Sequence, residues 1–299
     1  MNDSLISQMI LLFALMATGY ISNKTGILDE LSNARFSRFL LNIALPATIL
    51  NSACNQTYLE RTTVLSVMGI AAGIFIILPI LSKLIAKVFH LDATYQLMLN
   101  YSNLGFMGFP IIGSLYGTQN VFYAAIFMMV FNVHIFTVGI ITLRGKTEHT
   151  RELLKKLCTP GIASAVIAFI IVMVQRSFPA PVTQVVESLS VVTTPLAMIV
   201  IGSQLAQVNI LEVIKTKKLY LMSFFKLIVY PFVVYLCLYY IIGNSMITNI
   251  AVILVGLPVA GNVTMICTEY GGNAPLAAQG TCISTLLSLI TIPVMMMFM

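Results

Sequence analysis

Two short stretches of the chain carry residue types from which a binding site inside a membrane can be made. The first runs Asn100-Tyr101-Ser102-Asn103-Leu104-Gly105-Phe106-Met107-Gly108-Phe109-Pro110, with Gly113 beyond it. The second runs Gly256-Leu257-Pro258-Val259-Ala260-Gly261-Asn262-Val263-Thr264. Proline removes one backbone donor and clashes with the carbonyl four residues back, while glycine permits conformations that other residues avoid. Gly105, Gly108, Pro110, Gly256 and Gly261 are therefore the expected breaks in two helices. Each break creates a half-helix N-terminus, whose free N–H groups and dipole favour an anion. Asn100, Asn103, Asn262 and Thr264 lie beside the breaks and can donate hydrogen bonds to an anion without adding charge.

Three ionisable residues fall within or at the ends of apolar runs. Lys226 lies about eight residues beyond the basic segment that ends at Lys218, or about 12 Å along a helix. From there it either reaches back to the interface or serves as a charge partner. His134, midway along a run, reads as a packing residue or a proton relay, and Glu269 as an interfacial carboxylate or a charge partner. No nucleophile–base pair, metal-ligand cluster or phosphate loop is visible, so neither an enzyme nor a cofactor or metal site is expected. The five cysteines are scattered without a C-x-x-C pair and read as packing residues.

The elements that position these residues follow from composition. Of 299 residues, 59% are hydrophobic and 9% charged, against about 25% charged in a soluble domain. The chain reads as an all-α integral membrane protein, which excludes cytosolic enzymes, secreted disulfide scaffolds and nucleic-acid-binding modules. Charge-free stretches, two of them long enough to cross twice, give ten expected spans: 5–22, 36–54, 63–86, 94–116, 119–142, 159–177, 185–208, 219–242, 246–269 and 274–298. The first span carries Asp3 and no preceding Lys or Arg, so it is not read as a cleavable signal. Thirteen Lys and Arg residues fall in or at the edges of the loops after odd-numbered spans, against Arg61 and Arg176 on the other side. Both termini are thus expected on the outer side of a cell (inner) membrane, with the basic loop 143–158 cytoplasmic. The net charge of +6 is accounted for by this bias and by lipid headgroups, without nucleic acid.

The chain also repeats itself. Pro46 and Pro195 head similar stretches 149 residues apart, and G-F-P-I-I-G at Gly108 matches G-L-P-V-A-G at Gly256 at an offset of 148. Tyr116-Gly117 and Tyr270-Gly271 follow at 154. Five spans per copy is odd, so the copies 1–142 and 159–299 must lie inverted in the membrane. Inverted repeats with interrupted helices are characteristic of secondary transporters.

At these residues the sequence resembles the auxin efflux carrier family, which includes plant PIN-FORMED carriers and shorter bacterial malate-permease-like members. The likeness rests on Leu257-Pro258, Thr268-Glu269-Tyr270 and the run Ser284 to Pro293, with Met107-Gly108-Phe109-Pro110 and Tyr116-Gly117 in the first half. Ala44-Leu45-Pro46 and Pro195-Leu196-Ala197-Met198 add to it. In the family's register Asn103 falls at the crossover and Ser102 stands where the plant carriers have proline, so Ser102-Asn103 is the counterpart of Pro258-Val259 at an offset of 156. The resemblance implies that spans four and nine break and cross, and adds Ser102, Pro258 and Val259 to the substrate site. It implies a scaffold of spans one, two, six and seven, a homodimer, and a mobile remainder. It also implies transport of small organic anions by alternating access, with malate-like carboxylates favoured over auxin by the short central loop. Candidate coupling ions are H+ or Na+. The alternatives are a sodium-coupled carrier of the bile-acid symporter type and, from another class, a ligand-binding membrane sensor, for whose signalling domain the termini leave no room.

Overall fold

The structure is a computed structural model that describes residues 2–54, 61–145, 159–174, 179–208, 213 and 215–297, without the side chains of residues 2–6, 8, 9 and 61. Asn55, Arg176 and the expected loop 143–158 beyond Gly145 lie outside the described residues. In chain order the α-helices are α1 (Asn2–Lys24), α2 (Glu30–Phe39), α3 (Leu45–Cys54), α4 (Arg61–Phe89), α5 (Ala93–Asn100), α6 (Phe109–Tyr116), α7 (Val121–His134) and α8 (Ile140–Arg144). They continue as α9 (Pro160–Val174), α10 (Ala180–Gln207), α11 (Lys217–Phe224), α12 (Tyr230–Ile242), α13 (Met246–Val255), α14 (Gly261–Tyr270) and α15 (Ala274–Met297).

Helix lies under every stretch that the charge pattern marks as a span. Among the described residues five helical runs are long and apolar enough to cross a membrane: Thr62–Phe89, Thr118–Arg144, Ala180–Gln207, Lys217–Ile242 and Ala274–Met297. Shorter apolar helices occupy Ile10–Lys24, Leu104–Tyr116, Pro160–Val174 and Met246–Val255. The second stretch starts at Glu30, six residues before the expected 36, because Asp29 caps it. The Asp29 carboxylate accepts from Ser32 N–H at 2.7 Å and Ser32 Oγ at 2.6 Å. Those bonds hold its carboxyl below the ordinary value.

Prolines shape three helices in the same way. Wide π-turns at Leu40–Ala44, Leu104–Gly108 and Phe225–Val229 each end two residues before a proline, Pro46, Pro110 or Pro231. A proline ring clashes with the carbonyl one turn back, and a locally widened turn moves that carbonyl aside. A fourth π-turn, Ile135–Gly139, follows His134 and has no such proline.

The outer surface is apolar where that of a soluble protein would be polar. On α4 the residues Ile76, Ile80, Leu84 and Val88, one turn apart, are all 59–65% exposed. Polar side chains also lie inside: Ser82, Asn100, Ser102, Lys226, Thr248, Ser284 and Ser288 are each at most 5% exposed. Apolar residues facing outward along a whole helix suit hydrocarbon as solvent.

Two compact units are formed, and each draws on both halves of the sequence. Unit 1 comprises Met1–Val67, Gly105–Met129 and Cys158–Val208. It therefore gathers the first, second, sixth and seventh stretches together with residues 105–129. Its α1 and α10 touch backbone to backbone: Gly19 lies against the Ile199 carbonyl, and Gly202 against that of Met16. Close approach of this kind needs small residues. Hydrogen bonds fix α3 on α10: Thr48 Oγ1, which donates to the Ala44 carbonyl, lies 2.7 Å from Thr193 Oγ1, and Asn51 Nδ2 donates to Ser190 Oγ at 3.2 Å. Unit 2 comprises Met68–Leu104, Val130–Leu157 and Asn209–Met299, and holds both interrupted segments.

Candidate functional site

Within unit 2 two helices stop midway along their stretches. Helix α5 begins at the Asp92 cap, which accepts from the N–H groups of Thr94 and Tyr95, and ends at Asn100. Tyr101 then turns extended, with φ −114° and ψ 110°. Helix α13 begins at the Ser245 cap and ends at Val255, and the chain stays non-helical until Ala260, extended at φ −70° and ψ 138°. The first interruption thus lies at residues 101–103. Gly105 and Gly108 fall in the π-turn that follows, and Pro110 in the first turn of α6. Gly256 and Gly261 flank the second interruption, with Pro258 and Val259 inside it.

The unwound segments pair with each other. Ser102 and Val259 form an antiparallel bridge. Asn103 N–H donates to the Pro258 carbonyl at 2.9 Å, and Ala260 N–H to that of Tyr101 at 3.0 Å. A buried backbone without helix must satisfy its polar groups somehow, and here each segment satisfies the other. Ser284 on α15 completes the support, accepting from Val259 N–H at 3.0 Å while donating to the Gly280 carbonyl at 2.7 Å. Gly280 lets α15 approach the Met98 side chain of α5.

The polar residues of the first segment are turned inward. Ser102 Oγ donates to the Val255 carbonyl at 3.1 Å and accepts from Lys226 Nζ at 2.7 Å. Lys226 Nζ also donates to the Leu99 carbonyl at 3.0 Å. The lysine sits in the π-turn Phe225–Val229 and has no exposed surface, so it does not reach back to the interface. Asn100 is 3% exposed, and its Oδ1 has no hydrogen-bond partner among the described residues.

The second segment opens outward where it becomes helix. With Pro258 lacking an N–H, and those of Val259 and Ala260 taken, the first N–H groups without a partner among the described residues are at the start of α14. Gly261 is exposed, and nothing lies within 4 Å of where a Cβ on it would stand. Asn262 and Thr264, in the same first turn, are half-buried, as is Asn103 across the bridge.

His134 and Glu269 are elsewhere. His134 Nδ1 lies 2.9 Å from Tyr101 OH, and the His134 ring packs on Phe75 with centroids 5.5 Å apart. It therefore meets the crossing through Tyr101 and not directly. Glu269 is exposed near the end of α14, where its carbonyl accepts from Arg144 at 3.3 Å. Tyr101 and Ser284 are the participants that sequence reasoning did not select. The one signal for Ser284 was its place in the closing run that carries the family likeness.

Apolar surface outside, polar groups inside and paired unwound segments in the interior define a multi-pass membrane protein. The chain belongs to the family of membrane transport proteins, the auxin-efflux-carrier-like family, whose model matches residues 4–152 and again residues 149–296. It is a membrane transporter, and no curated protein matches it in sequence.

Proposed function

We propose that the protein is a secondary carrier of small organic anions, of the malate-like carboxylate class, working by alternating access. In this reading ten spans form two inverted five-helix repeats, both termini face outward, and spans one, two, six and seven are the scaffold of a homodimer. The observation that carries it is the paired crossing of unit 2, where α14 presents an exposed N-terminus at Gly261 with Asn262 and Thr264 in its first turn. A carboxylate at that N-terminus would accept backbone N–H groups and the amides of Asn262 and Asn103, in the field of the helix dipole. Pro258, Val259, Ser102 and Asn100 shape and support this end, while Gly105, Gly108, Pro110 and Gly256 permit the bends. Each negative charge crossing 100 mV carries about 2.3 kcal/mol, so uptake should respond to an imposed potential.

The test is uptake of labelled malate and related mono- and dicarboxylates into proteoliposomes. Wild-type protein should accumulate at least one anion when the potential favours its entry. Asn103→Ala and Asn262→Ala should each raise the half-saturating concentration by about tenfold or more, the cost of a hydrogen bond to a charged group. No accumulation under any potential or ion gradient, or unchanged affinity in both variants, would contradict the proposal.

A further inference from the structure

Helices α5 and α13 both end at the crossing, and a helix C-terminus carries unsatisfied carbonyls and about half a negative charge. Two such ends in an apolar interior call for a cation. The Leu99 carbonyl near the end of α5 accepts directly from Lys226 Nζ at 3.0 Å. The Val255 carbonyl that ends α13 accepts from Ser102 Oγ at 3.1 Å, and that oxygen in turn accepts from Nζ at 2.7 Å. One ammonium therefore serves both helix ends, one of them through a single hydroxyl. Carbonyl and hydroxyl oxygens are the ligands that a small hard cation takes. Its stem rises from the π-turn Phe225–Val229, an irregularity of a kind that recurs at functional sites. Among the described residues the hydrogen-bond partners of Nζ are these two oxygens, and the group is wholly buried.

We propose that the Lys226 ammonium is a built-in cation that occupies the place beneath the crossing where a dissolved coupling cation would bind, so that the carrier moves its anion without sodium or another alkali ion. This rests on the carrier reading above, and it decides against the sodium-coupled alternative. The charge is tethered, so it stays with unit 2 through the cycle instead of being delivered and released with each anion. A ligand present in both states at equal affinity shifts nothing, and a fixed side chain needs no gradient to occupy its site.

Two measurements test it. At a fixed imposed potential, wild-type uptake in sodium, potassium or choline salts should agree within about twofold, since no ion is differentially bound. A drop of about fivefold or more on replacing sodium overturns the proposal. Separately, thermal unfolding of the purified protein in detergent needs no substrate. Wild-type Tm should not change between sodium and choline salts, whereas Lys226→Ala should melt lower and be raised by ethylammonium but not by propanol. A wild-type Tm that rises with sodium, or a Lys226→Met variant that melts and transports like wild type, would overturn it. A protein that takes up no anion yet shows the expected melting pattern would refute the carrier reading while leaving the built-in cation standing.

Discussion

Ser102 is the residue on which the interior of unit 2 turns. Its hydroxyl receives the Lys226 ammonium and passes a hydrogen bond to Val255, while its backbone joins the bridge to Val259. Ser102→Ala would leave a buried carbonyl unsatisfied and a buried ammonium with one acceptor fewer. We expect it to cost about 1–3 kcal/mol of stability. Ser102→Thr, which keeps the hydroxyl, should melt close to wild type, and thermal unfolding in detergent distinguishes the two. Ser102 was legible only through its register against Pro258-Val259, since a serine in an apolar run usually bonds its own helix, as Ser52 does to Ile49. Lys226 was legible as unusual but not as buried. At about 12 Å from the interface a lysine can go either way, and what decides is which way the π-turn aims it, which spacing alone does not encode.

Helices, by contrast, were legible almost to their ends, because in a chain so poor in charge the charges mark the limits of the apolar runs. The local G-x-P pattern misplaces the first interruption, whereas the family's register puts the crossover at Asn103. Gly108-Phe109-Pro110 looks like the breaking point and matches Gly256-Leu257-Pro258 letter for letter in its G-x-P. Yet the proline there is accommodated by a π-turn, and the chain unwinds seven to nine residues earlier, at 101–103, where it finds a second unwound segment to pair with. Local propensity makes a break possible, but the available hydrogen-bond partner chooses its site. The contact of α1 with α10 is a second effect that spacing did not reveal. There Gly202→Leu would push a side chain into the Met16 backbone, and we expect a loss of about 1–3 kcal/mol or more from overpacking. Gly69→Leu on the exposed face of α4, where a Cβ meets nothing within 4 Å, should leave the melting temperature unchanged. Equal melting of both variants would remove the tight α1–α10 contact from the account.

For the whole molecule, the composition gave the solvent, and the family likeness gave the transporter class that the match over both halves bears out. The grouping of residues into two units could not be read from the linear repeat, since each unit takes segments from both halves. In the carrier reading proposed above, α14, which lies in the unit that holds the crossing, faces each side of the membrane in turn. The most direct test of this places a single cysteine at Gly261, where a side chain meets no neighbour, after replacing Cys54, Cys158, Cys237, Cys267 and Cys282. The Gly261→Cys thiol should react with a membrane-impermeant reagent added to either side of the membrane, and a transported carboxylate should slow the reaction from both. Reaction from one side only under every condition, or a rate indifferent to every carboxylate, would contradict an anion site at the crossing that opens to each side in turn.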